Sequence, residues 1–131
     1  MDFEAFTVPP ETAEAINACK RRGGRVVCVG STTVRTLETV AAAHREDLKA
    51  RHAEPDGAVV VPGSGASNIF IYPPYRFLVC DAMLTNFHLP QSTLLMMVSA
   101  LAGRERMLIA YALAVKAEYR FFSYGDCMLI V

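Results

Sequence analysis

The chain has no net charge: thirteen Lys and Arg residues offset thirteen Asp and Glu. Nucleic-acid-binding domains usually carry a basic excess, so any RNA contact must come from a local patch. No C-x-x-C pair occurs. The four cysteines, Cys19, Cys28, Cys80 and Cys127, stand at no zinc-like spacing from histidine, so no metal is expected. Cys28, Cys80 and Cys127 sit in apolar, strand-like runs and read as buried free thiols of a reducing cytosol. The absence of G-x-G-x-x-G removes the dinucleotide fingerprint. Asp2, Glu4 and Glu11 interrupt the N-terminal stretch and no basic leader is present, so no signal peptide is expected. The apolar run Leu94–Ala102 is too short to span a bilayer. The expected location is the cytoplasm, with no membrane partner. No internal repeat or low-complexity tract interrupts the chain.

What is present suits one modest packed domain covering residues 1–131. The chain is 53% hydrophobic, with a mean hydropathy of +0.27, values that argue for a core and against disorder. An extended strand around Phe3 and Phe6 leads to a helix opened by Pro9-Pro10, with Glu11 in its first turn and Gly23-Gly24 at its end. Arg25–Val29 reads as a buried central strand, because it is short, β-branched and without polar alternation. Gly30 turns the chain, and a second helix opens at Ser31-Thr32-Thr33 with Val34, Leu37, Ala41 and Leu48 on one stripe. Strand, glycine turn and helix in that order predict an α/β fold: a partly parallel sheet with flanking helices and a ligand crevice at a helix N-terminus. Beyond a polar linker at His52–Gly57, the pattern predicts a short strand at Val59–Val61 and a flexible loop at Gly63–Ser67. Two strands, Ile69–Tyr72 and Arg76–Cys80, are expected around Pro73-Pro74. A helix follows Pro90 and ends at Gly103, and another runs from about Glu105 to Ala117. Strands are expected at Tyr119–Ser123 and Cys127–Val131.

Two constellations can carry chemistry. The first is Ser31, Thr32 and Thr33, whose hydroxyls share a helix start with unpaired N–H groups and the positive end of the dipole. A carboxylate, ribose or phosphate fits there; ordinary N-capping fits equally well. Arg35 lies one turn on and can fork onto an anion or bridge to Glu38 as a surface pair. The second is Thr85-Asn86-Phe87-His88-Leu89-Pro90-Gln91-Ser92-Thr93, a polar run before the apolar helix Leu94–Val98. Asn86, His88, Ser92 and Thr93 can face a ligand, or can cap a core helix and satisfy loop backbone. His88 stands between Phe87 and Leu89, where partial burial tunes an imidazole toward general acid or base work near neutral pH. Taken alone, a histidine in such a setting is more often structural. Tyr124 can stack on a base. Asp126 can contact a ribose hydroxyl or amine, or simply close the turn Tyr124-Gly125-Asp126. Lys20, Arg21, Arg22 and Arg25 form a basic patch at a helix end, and Arg104 with Arg106 a smaller one; both can track RNA phosphates or remain solvated.

Asn86-Phe87-His88-Leu89-Pro90 with Ser92-Thr93-Leu94-Leu95-Met96 closely resembles the S-adenosylmethionine:tRNA ribosyltransferase-isomerase family of queuosine synthesis. Gly30–Glu38, Ile69–Pro73, Tyr119–Asp126 and Glu11–Asn17 match the same family, in the family's order and over nearly the whole chain. The resemblance implies the C-terminal part of the family's main α/β domain; the N-terminal portion has no counterpart. It implies S-adenosylmethionine as co-substrate and ribosyl donor, and tRNA as partner. The family transfers the ribosyl group to 7-aminomethyl-7-deazaguanine in tRNA and isomerises it, giving epoxyqueuosine while adenine and methionine leave. By that resemblance His88 and Asp126 are candidate catalytic groups. Ser31, Thr32, Thr33, Arg35, Asn86, Ser92, Thr93 and Tyr124 are candidate contacts to the co-substrate. Two helix N-termini that follow strands or loops predict that Ser31, Thr32, Thr33, Arg35, Asn86, His88, Ser92 and Thr93 approach one crevice.

The chain departs from the family at Ala66-Ser67-Asn68, where an aromatic and an acidic residue are expected, and at Pro74, where a glycine is usual. With the N-terminal portion absent, the chain is expected to be inactive alone, its missing half supplied by a longer polypeptide or a partner subunit. The alternative reading is a non-catalytic α/β module, or a split-enzyme subunit, that binds tRNA or a partner chain.

Overall fold

The computed structural model describes residues 3–54, 57–87, 93–119 and 126–131. Its element order is β1 (Glu4–Val8), α1 (Pro10–Arg21), β2 (Val27–Val29), α2 (Ser31–Ala50), β3 (Gly63–Ser67), β4 (Ala82–Asn86), α3 (Thr93–Ala102), α4 (Arg104–Lys116) and β5 (Cys127–Ile130). The fold is α/β. One sheet has the order β2-β4-β5, with β2 parallel and β5 antiparallel to β4. A second sheet pairs β1 with β3 antiparallel.

The helices begin and end where local chemistry directs. Pro10 sits at the first position of α1, where its missing N–H costs nothing. Gly23, at φ +74°, lets the chain leave α1. Gly30, at φ +89°, turns β2 into α2 while its own N–H still donates to the Leu84 carbonyl at 2.8 Å. A side chain there would be strained, so this turn requires glycine. Val34, Leu37, Val40 and Ala41 of α2 meet Cys28, Met83, Leu94, Met97 and Val98 in a shared core. Full burial of a Leu- or Val-sized side chain stabilises by about 1.5–3 kcal/mol. α4 is apolar nearly all round, yet buries only Met107, Tyr111 and Ala114.

Several strand expectations are corrected. Arg25–Val29 is not a central strand. Only Val27–Val29 is extended, and it forms the edge of its sheet among the described residues. The central strand is Ala82–Asn86, which the sequence pattern hid behind the charge of Asp81. That carboxylate accepts Lys20 Nζ at 2.7 Å and the Val26 N–H at 2.8 Å, so the charge is paired and the strand continues beyond it. Burial alone would raise the Asp81 carboxyl; the hydrogen bonds from Lys20 and Val26, with the Lys20 and Arg25 charges, outweigh it and leave the pKa lowered.

Val59–Val61 is not a strand, because its backbone is satisfied by a side chain. Asn17 Oδ1 accepts the Val59 and Val60 N–H groups at 2.8 and 3.0 Å, and Asn17 Nδ2 donates to the Val60 carbonyl at 2.8 Å. Gly63–Ser67 is strand β3 instead of a flexible loop. Gly65 lies flat against Phe6, where an added Cβ would sit 3.0 Å from the ring. Ile69–Tyr72 and Arg76–Cys80 make no ladder either. The N–H groups of Leu78, Val79 and Cys80 donate to the Glu38 carboxylate. Tyr119–Ser123 lies largely outside the described residues.

Candidate functional site

The β2-to-α2 turn and the end of β4 share one crevice, since the parallel pairing sets Val29 beside Leu84. A cavity of about 450 Å³ opens there, lined by Val29, Gly30, Ser31, Thr32, Thr33, Leu84, Thr85, Asn86 and Cys127. It lies at the carboxyl ends of two parallel strands and at the N-terminus of a 20-residue helix. Open α/β sheets place their ligands at such ends, and the size falls in the range of roughly 300–1,000 Å³ usual for small-molecule sites.

The polar groups of the cavity divide into engaged and available. Thr32 Oγ1 donates to Glu4 Oε2 at 2.9 Å and Thr33 Oγ1 donates to the Val29 carbonyl at 2.9 Å. Ser31, Thr85 and Asn86 make no side-chain hydrogen bond among the described residues. Thr85 is only 6% exposed and alternates with Leu84 and Asn86, so it sits with Met83 on the buried face of β4.

The expected site residues are therefore brought together in part. Ser31, Thr32, Thr33 and Asn86 line one cavity. Arg35 does not join them. Its guanidinium donates to Glu4 Oε1 at 2.6 Å, and its Nε is buried without a partner. The proposed Arg35–Glu38 surface pair is absent because Glu38 is fully buried and bound to the 75–80 segment. Thr93 opens α3 as described, is exposed, and does not line the cavity. Asp126 is half-buried beside Cys127, and its carbonyl accepts the Phe87 N–H at 3.2 Å. His88, Ser92 and Tyr124 lie outside the described residues.

Three residues escaped the sequence reading. Glu4 holds Thr32 and Arg35 together; the Thr32 hydroxyl, then Arg35, lower its carboxyl pKa. Thr85 and Cys127 line the cavity. Thr85 stood inside the polar run that drew notice, but nothing local told which of its members would be buried. Cys127 is exposed, against the expectation of a buried thiol; all four cysteines are free.

The basic patch at the end of α1 is reduced by pairing: Lys20 binds Asp81 at 2.7 Å and Arg21 binds Glu14 at 3.0 Å. A larger groove, about 690 Å³, runs along the far half of α2 between His44, Lys49, His52 and Leu78. It is remote from the strand ends and shares no residue with the crevice. Among the described residues no group of three or more His, Cys, Asp or Glu could hold a metal ion. No described helix is long and apolar enough to cross a membrane.

Residues 1–130 match the family model described as queuosine biosynthesis protein. This chain belongs to that family. The S-adenosylmethionine:tRNA ribosyltransferase-isomerase of Moorella thermoacetica is 55% identical over 131 residues, covering 100% of this chain and 34% of the relative. That of Geobacter sulfurreducens is 52% identical over 130 residues, covering 99% and 34%. The crystal structure of the S-adenosylmethionine tRNA ribosyltransferase of Thermotoga maritima superposes with a TM-score of 0.77 at 45% identity, covering 97% of this chain and 40% of that one. The chain thus spans about a third of the length of the curated relatives it matches.

Proposed function

We propose that this chain supplies one α/β domain of a cytoplasmic tRNA-modifying enzyme. The enzyme transfers the ribosyl group of S-adenosylmethionine to 7-aminomethyl-7-deazaguanine in tRNA and isomerises it to epoxyqueuosine. The relatives' names carry the substrate class, and one observation of this chain supports it. A cavity at the strand ends and the α2 N-terminus offers Ser31 and Asn86, whose side chains make no hydrogen bond to another described residue. Hydroxyl, amide and helix-terminal N–H groups suit the carboxylate or ribose hydroxyls of S-adenosylmethionine.

The cavity fits part of that ligand. Among the described residues that line it there is no cation, carboxylate or imidazole, and Cys127 is the one titratable side chain. The reaction needs a proton removed beside the sulfonium and one delivered to departing adenine, and those steps require a titratable group. His88 and Asp126 are the groups we assign to them: His88 belongs to the segment after Asn86, and Asp126 precedes the cavity residue Cys127. Tyr124 and Ser92 complete the proposed contacts, and Thr93, outside the described lining, touches the co-substrate only where it extends beyond the cavity. Arg35 acts there only if Glu4 releases it.

Mass spectrometry of tRNA incubated with S-adenosylmethionine tests the reading, with this chain alone and joined to the remaining two thirds of a relative. Misplacement by about 1 Å costs on the order of a hundredfold in rate, so the chain alone should give no measurable transfer and the joined protein should give epoxyqueuosine. In the joined protein His88→Ala should lower kcat more than it weakens tRNA binding. Transfer of a methyl group in place of the ribosyl group would reject the proposal.

A further inference from the structure

The two faces of the β2-β4-β5 sheet are unequally covered: on the less covered face Ala82, beside Val27, is buried while the two outer strands are exposed. Cys28, Met83 and Ile130 point to one face and are buried, where α2 packs on β2 and α3 on β5. Val27, Val29 and Leu129 alternate with them and are 54%, 65% and 59% exposed. The register sets Val29, Leu84 and Leu129 side by side in one row across all three strands. Sheets with parallel strands are normally covered on both faces, because their apolar runs alternate little. An exposed apolar patch of this kind marks a contact surface. The cavity opens on the same face, since Val29, Leu84, Asn86 and Cys127 line it.

We propose that this sheet face docks a segment from the length of polypeptide that the relatives carry beyond the third spanned here. The docked segment then forms the open wall of the cavity, a part of the proposal that rests on the site reading above. The occupant follows from three observations. The row Val29-Leu84-Leu129 carries no charge, so it does not suit a nucleic acid. The relatives hold about two thirds of their length outside the matched region, the chain covering 34% of them. The apolar row runs directly into the cavity, so whatever covers the row also encloses a ligand. Enclosure removes water and strengthens each polar contact inside.

The test titrates this chain with the remaining two thirds of the Moorella thermoacetica relative, separately and joined by a flexible linker. Sedimentation should give a one-to-one complex, and hydroxyl-radical footprinting should protect Val27, Val29 and Leu129 in both forms. The pair Val27→Asp and Leu129→Asp places carboxylates on exposed positions, so the chain should keep its circular dichroism. Affinity should fall on the order of a hundredfold, as expected for burying unpaired charge. S-adenosylmethionine binding is measured separately, so a complex without ligand binding keeps the docking surface and rejects only the wall. A self-associated dimer that the added segment does not displace would overturn the proposal. So would unprotected Val27, Val29 and Leu129 in the joined protein.

Discussion

Glu38 accepts the Val79 N–H at 2.8 Å from a position with no solvent exposure. The same carboxylate takes the N–H groups of Leu78 and Cys80 at 2.8 and 3.1 Å and the Tyr75 hydroxyl at 3.2 Å. Four donors surround one buried carboxyl group, with no cation paired to it among the described residues, and α2 is thereby tied to the segment that enters β4. Burial first, then the Glu38 charge and hydrogen bond, push the Tyr75 phenol up. Removing the carboxylate strands three backbone donors, each costing about 1–3 kcal/mol when unsatisfied. Glu38→Ala should therefore destabilise by about 3–5 kcal/mol, partly relieved by water, and lower Tm by about 10–20 °C. Glu38→Gln should also destabilise, because its amide turns a donor toward backbone donors. Calorimetry of both variants checks this; a Glu38→Gln protein as stable as the parent would contradict the four-donor arrangement.

The Glu4 contacts set a pH dependence. Its carboxyl lies below the ordinary 4.5, with the Thr32 hydroxyl and then Arg35 as causes. A depressed carboxyl contributes stability that is fully present above the unfolded value and is lost as pH falls through the folded one. The contribution should be small, below about 1 kcal/mol, because the Glu4 side chain is 34% exposed. Glu4→Gln should flatten this part of the stability profile below about pH 4.5 and free the Arg35 guanidinium. Urea denaturation of both proteins across that window measures it.

Thiol chemistry should follow burial. Cys127 is exposed and Cys19 half-buried, whereas Cys28 and Cys80 are buried. The hydrogen bond with Cys28, followed by burial, holds the Cys80 thiol up. Reaction with an aromatic disulfide reagent should label Cys127 first, Cys19 next, and Cys28 and Cys80 only on unfolding. Labelling of Cys127 should also compete with a ligand in the cavity that Cys127 lines.

Gly30→Ala isolates backbone strain. A Cβ at Gly30 meets nothing within 4 Å, but the residue sits at φ +89°. The variant should fold, lose about 1–3 kcal/mol, and bind S-adenosylmethionine more weakly in the joined protein as the turn shifts. Equal stability and equal affinity would show that the turn relaxes without disturbing the site.

The helices were legible because their signals are local. Pro10, Gly23, Gly30 and Gly103 mark ends through their own backbone preferences, and apolar spacing sets the buried stripe of α2, whereas α1 buries the polar Asn17 beside Ala13. The strand-turn-helix at Arg25–Thr33, and hence the location of a candidate crevice, came from the same kind of pattern. The tertiary structure alone decided which extended segments pair. A strand needs a partner, and the apolar runs at Val59–Val61 and Arg76–Cys80 give their N–H groups to Asn17 and Glu38 instead. Gly63–Ser67, with no apolar run, becomes a strand because β1 offers it a ladder. Charge partners were hidden for the same reason. Arg35 had Glu38 three residues away in sequence, yet it pairs with Glu4, 31 residues distant, because the buried Glu38 carboxylate is taken up by Tyr75 and the Leu78–Cys80 backbone. Local preference settles how a segment bends; only the packed chain settles which donor meets which acceptor.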